Sequence, residues 1–190
     1  MTRELRWRIV TLQVILVLVL AFCAGFLFWG SSFINGMVHD ELVAQQIFFP
    51  PASEIKPGGA LDPAEYSAEI RGYAGQQVDT GQKAKVYADD FIAVHLNEVA
   101  GGKTYSQVSA AAQADPTNLT LQSQANTLFR GETLRGLLLN AYGWSQVAMY
   151  AFFAGIGLAI AALVVLGALV FELVTAPRAE RAAKGQPTPA

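Results

Sequence analysis

The chain has 190 residues, 53% of them apolar, with one cysteine and a formal net charge of −2. That length leaves room for one domain of ordinary size, and the lone Cys23 excludes an intrachain disulfide. Residues 34–146 hold 12 acids against seven bases, a net −5 that argues against a nucleic-acid partner.

The basic tail 1–8, with Arg3, Arg6 and Arg8 against Glu4, precedes an uncharged run from Ile9 to Phe33. At about 1.5 Å per residue, a helix of this length exceeds the ~30 Å hydrocarbon core of a bilayer, so 9–33 is expected to be a transmembrane helix. A cleaved signal peptide is the alternative, but its apolar core is usually only about 7–15 residues long and no clean small-x-small cleavage site follows. A lipoprotein reading of Cys23 fails because bulky Phe22 precedes it. Ala21 and Gly25 form a short ridge of small residues for helix packing.

The helix is expected to continue through His39-Asp40-Glu41-Leu42 and to stop at Phe48-Phe49-Pro50-Pro51, where aromatic anchors meet a proline break. Adjacent helical positions diverge by about 100°, so His39 would share a face with Leu42, Val43 and Gln46 while the acids point away. These residues, with Phe48 and Phe49, are interface candidates. A metal or proton site here would need His95 or an acid from another helix.

A loop follows, and Asp62-Pro63-Ala64-Glu65 signals a helix over 63–71. Asp79 with Gln82 signals the next helix start. From there Ala84, Tyr87, Ala88, Phe91, Ile92, His95 and Val99 recur at helical spacing until Gly101-Gly102. His95 with Glu98 has the His-x-x-Glu spacing of carboxylate-bridged metal sites, yet only one such set occurs and the apolar neighbours favour a core histidine. Gly101-Gly102-Lys103-Thr104 lacks the earlier glycine of a phosphate-binding loop, where Asn97 stands. Helix end followed by helix start explains it. Asn118-Leu119-Thr120 matches a glycosylation sequon but is read as a cap and turn.

Thr104 with Gln107 opens a helix through Ala114, and Asp115-Pro116-Thr117-Asn118 breaks it. From Leu119 a helical pattern runs toward the membrane, with Gly131 and Gly136 as weak points. Arg130, Arg135, Tyr142 and Trp144 have the composition of a bilayer interface and are lipid-headgroup candidates. Pairing with Glu132 or other acids is the equal alternative for the two arginines. Val147 to Phe171 carries no charge, and 147–171 is expected to be the second transmembrane helix. Its Ala151, Gly155 and Ala159 form a small-residue ridge that Ala162 extends. The tail 172–190, with Arg178, Arg181 and Lys184 against Glu180, is expected to be disordered.

Basic tails at both ends place both termini in the cytoplasm and 34–146 outside. The expected fold is an all-α membrane protein, with two antiparallel transmembrane helices flanking an extracytoplasmic helical domain. Neither span has an intramembrane Asp, Glu, Lys, Arg or His, Glu172 standing just at the cytoplasmic end of the second, which disfavours channels, pumps and proton relays. No histidine is present there as a common haem ligand, so no cofactor is assigned. No catalytic triad motif or clustered metal set occurs in the outer segment, so no catalytic residue is assigned.

His39-Asp40-Glu41-Leu42 through Phe48-Phe49-Pro50, Tyr73 to Asp79, Val99 to Tyr105 and Thr127 to Asn140 resemble a group of uncharacterised two-span membrane proteins of actinobacteria. The resemblance covers most of the outer segment and both spans. It implies a bacterial plasma-membrane location and brings no activity.

The functional expectation is a non-enzymatic structural or accessory subunit. Its partners would be membrane lipids and either further copies of itself or other membrane-protein subunits, as in a respiratory assembly. An outer sensor is the alternative, because two spans flanking an outer helical bundle is the layout of many bacterial receptors; with only 19 residues after Phe171 it would have to signal through a partner. A metal site or outer-face enzyme built on His39 and His95 is the third reading.

Overall fold

A computed structural model describes the backbone of residues 3–184 and the side chains of 4–175. Among the described residues six α-helices run in chain order: α1 (Arg3–Ala44), α2 (Ala68–Gly72), α3 (Gly81–Val86), α4 (Ala93–Ala100), α5 (Tyr105–Ala114) and α6 (Leu119–Lys184). A short 3-10 turn spans Ala52–Glu54, and a π-helical stretch, Tyr87–Ile92, joins α3 to α4. Among the described residues the only β pairing is an isolated antiparallel bridge between Phe48 and Gln77. Two helices, α1 and α6, are long and apolar enough to cross a membrane. Helical backbone continues to Lys184, past the point where a disordered tail was expected, and residues 185–190 lie outside the described residues.

The chain forms two compact units, Met1–Ser32 with Met149–Ala190, and Phe33–Ala148. In the first, the less exposed residues of α1 include Val10, Gln13, Val17, Leu20, Ala24, Leu27 and Ser31; those of α6 include Gly155, Leu158, Ala162, Val165 and Leu169. Their alternating three- and four-residue spacing is the seam of helices that pack knobs into holes. The Phe28 ring lies against Gly155 and meets Phe152 edge-on at 5.5 Å.

In the second unit, the buried core joins Val38 and Leu42 of α1, Phe49, Leu61, Ile70, Val78, Ala84, Ala88, Ile92, Leu96 and Leu128. Here α1 stops at Ala44, earlier than the Phe48–Pro51 break, and Gln46 takes a left-handed φ of 52°. The reason is a pairing that the helical reading did not anticipate. Phe49 N–H donates to the Gln76 carbonyl at 2.9 Å, Val78 N–H to Ile47 at 2.9 Å, and Gly75 N–H to Pro50 at 2.9 Å. In this extended segment side chains alternate, so Phe49 is buried and Phe48 faces out. The Gln77 amide donates to the Val43 carbonyl at 2.9 Å, satisfying one of the acceptors left at the end of α1.

Two helix starts also differ from expectation. The Asp62 carboxylate accepts from Gly58 and from Ala64 N–H at 2.8 Å, holding a turn, and α2 begins only after Ser67, whose hydroxyl accepts from Ile70 N–H at 3.3 Å. Those two N–H donors hold the Asp62 carboxyl below the ordinary aspartate pKa. At α3 the cap is Thr80, accepting from Lys83 N–H at 3.3 Å, while Asp79 pairs with the Lys83 ammonium at 2.9 Å. Gln82 reaches Glu69 instead of closing a box with Asp79.

Of the expected core face, Ala84, Ala88 and Ile92 are buried and Tyr87 and Phe91 pack against the core, but the face continues through Leu96 and Ala100 instead of His95 and Val99. A four-residue repeat would drift about 40° per step around an α-helix, and the wider turn of the π stretch absorbs much of that drift. The register shift turns His95 outward. Gly101 then ends α4 with a left-handed φ of 57°, and Thr104 with Gln107 forms the anticipated capping box of α5. Gly131 is no weak point: a Cβ there would run into the Leu96 side chain, so its absence lets α6 approach α4.

Candidate functional site

The Phe33–Ala148 unit contains a half-open groove of about 450 Å³. One wall is the stretch of α1 from Met37 to Gln45, with Ile47 beyond it, and the other is α6 from Leu134 to Trp144. On each helix the lining follows the three- and four-residue spacing of one face: Val38, Leu42 and Gln45 opposite Leu134, Leu138 and Ala141. Glu41, Gln45 and Asn140 supply the polar groups, and among the described residues no lysine, arginine or histidine lines the groove. Met37, Leu134, Leu137 and Trp144 are exposed large apolar residues, an arrangement that marks an interaction surface.

The α1 face expected to carry an interface is only partly the one observed. Leu42 is buried in the core and lines the groove, Val43 is half-buried, and Gln46 is exposed beyond the helix end. His39 is exposed, with Nδ1 2.9 Å from the Asp79 carbonyl, so it bridges α1 to the segment before α3. Its place in the core is taken by Val38. His95 is 63% exposed and its Nδ1 lies 4.0 Å from Glu98. The two histidines are not brought together, and no group of three metal-ligating side chains occurs among the described residues.

Of the headgroup candidates, Arg135 meets acids: its guanidinium donates to Asp89 at 3.0 Å and Glu132 at 3.4 Å. The Asp89 hydrogen bond, offset partly by burial, raises the Arg135 pKa. Tyr142 is half-buried with the Lys85 ammonium 5.8 Å from its ring centre, a cation–π geometry. Arg130 is exposed, and Trp144 is 48% exposed at the groove.

In the other unit, Gly155 and Ala162 are buried and Ala151 and Ala159 half-buried. Ala21 and Gly25 are exposed, and a Cβ on Gly25 would meet nothing within 4 Å. Ala24 and Phe28 are the residues that turn inward. A sequence signal for this seam was present in the seven-residue series Val10, Val17, Ala24, Ser31 and Gly155, Ala162, Leu169. The groove had a weaker one, the matched apolar spacing of Val38 and Leu42 with Leu134, Leu138 and Ala141.

No protein family profile matches this sequence, and no curated protein or solved structure matches it.

Proposed function

We propose that this chain is a two-span protein of a bacterial plasma membrane and serves as a non-enzymatic accessory or assembly subunit. In this reading the two spans run antiparallel, both termini are cytoplasmic, and residues 34–146 form the outer domain. The observation that carries it is apolar surface that the chain itself leaves uncovered. Only 11% and 17% of the most apolar window of each long helix is buried, and Phe22, Leu163 and Phe171 are 74%, 66% and 70% exposed. Such surface demands lipid or neighbouring helices. The contact of Phe28 with Gly155 and Phe152, together with the matched seams, supports pairing of the spans within one chain. The basic tails support the orientation.

Gentle detergent extraction and mass measurement of the intact particle test the assembly role. A mass that is a multiple of 20.4 kDa, or one that includes co-extracted subunits, is the expected result. A clean monomer contradicts it. The groove favours a second reading as a ligand-binding outer domain.

A further inference from the structure

We propose that the groove between α1 and α6 of the Phe33–Ala148 unit seats one acyl chain of a membrane lipid. This rests on the membrane reading above and goes beyond it by naming a site and an occupant. The groove volume of about 450 Å³ lies within the ordinary ligand-pocket range of roughly 300–1,000 Å³. Its walls are aliphatic, built on Leu42, Leu137 and Leu138, with Trp144 at one end. Hydrocarbon is the matching chemistry.

The position in the chain selects lipid as the source. Met37 lies four residues beyond the end of the first apolar run at Phe33, and Trp144 three residues before the second begins at Val147. Both therefore sit at the interfacial margin of a spanning segment, where tryptophan is enriched and the head of an acyl chain lies. The amides of Gln45 and Asn140 line the same groove and are suited to donate to ester carbonyls. Glu41, with no base in the lining, disfavours a phosphate inside the groove. The phosphate of the lipid would then stay outside it.

A slender, flexible chain fits a half-open slot of about 450 Å³.

The test reconstitutes the full-length protein into vesicles of phosphatidylethanolamine and phosphatidylglycerol, re-extracts it in mild detergent and weighs the intact particle by native mass spectrometry. Ala141→Phe fills the groove, and Leu137→Gln places an amide in its wall at a site 65% exposed, where the fold tolerates a polar residue. The wild type should retain one lipid mass per chain, Ala141→Phe should lose it, and Leu137→Gln should retain about tenfold less, as expected for an amide unpaired against hydrocarbon. Equal retention by all three, no lipid on the wild type, or a second protein mass lost on the same substitutions would each overturn the proposal. Protein recovered in the aqueous fraction without detergent would overturn the membrane reading itself, a failure distinct from membrane-bound protein that keeps no lipid.

Discussion

Placing leucine at Gly155 and, separately, at Gly25 distinguishes the packed face of the long helices from the open one. A Cβ at Gly155 would lie 2.9 Å from Phe28 Cε1, 3.1 Å from Cδ1 and 3.3 Å from Cζ. Carbon atoms prefer about 3.5–4.0 Å, so the ring must retreat by roughly 0.6 Å for Cβ alone, and further for the rest of leucine. Overpacking of this kind costs about 1–3 kcal/mol. Replacing a helical glycine returns about 0.5–1 kcal/mol of propensity at either site. The net expectation for Gly155→Leu is therefore a loss of about 0.5–2 kcal/mol. Gly25→Leu meets nothing within 4 Å and should be neutral or slightly stabilising. Denaturation of full-length protein in mixed micelles, followed by near-ultraviolet circular dichroism of the aromatic residues, reads both. Equal loss at the two sites, or loss only at Gly25, would refute the seam.

Arg135→Ala removes the links to Asp89 and Glu132; because the three groups are 33%, 30% and 44% exposed, the loss should be about 1 kcal/mol and should shrink with added salt in thermal melts. Thr104→Ala removes a complete capping box and should destabilise by about 0.5–2 kcal/mol, with faster amide exchange confined to the first turn of α5. The Asp62 carboxyl should titrate below 3.8 by carbon-detected NMR, because Gly58 and Ala64 N–H groups hold its charged form. Its folded pKa is depressed, so its contribution to stability is present above the unfolded value and fades as pH falls through the folded one. Asp62→Asn should weaken that acid dependence. The double variant His39→Ala/His95→Ala should leave the metal content of purified protein unchanged; a bound metal lost only in the double variant would revive a metal site.

Local signals were read well where one residue type decides the outcome. Gly101 ends α4 and Thr104 opens α5 as their chemistry requires, because the left-handed turn and the capping box are set within four residues. Both long apolar helices were legible from composition alone. The errors occur where distant segments compete for the same groups. The end of α1 is decided by Gln76 and Gln77, some thirty residues away, which no local pattern near Phe48 reveals. Asp62 has the composition of a helix cap, but its carboxylate is engaged by Gly58 behind it.

The π-helical stretch shifts the α4 face and moves His95 into solvent, and 3.6-residue periodicity cannot anticipate an inserted turn. The Ala21 and Gly25 ridge was a four-residue reading of a helix whose packing follows seven-residue steps, set by which residues the partner helix meets. The groove was the least visible feature. Its two walls are separated by about a hundred residues, and only the fold aligns them.

The most direct test of the central claim is single-cysteine labelling in intact cells. In a Cys23→Ser background, Ser106→Cys places a thiol on exposed α5 and Ala182→Cys places one in the C-terminal tail. A membrane-impermeant maleimide should label Ser106→Cys in intact cells and Ala182→Cys only after permeabilisation. Labelling of Ala182→Cys in intact cells with Ser106→Cys protected would contradict the topology, and release of the labelled Ser106→Cys protein into the medium would contradict membrane anchorage.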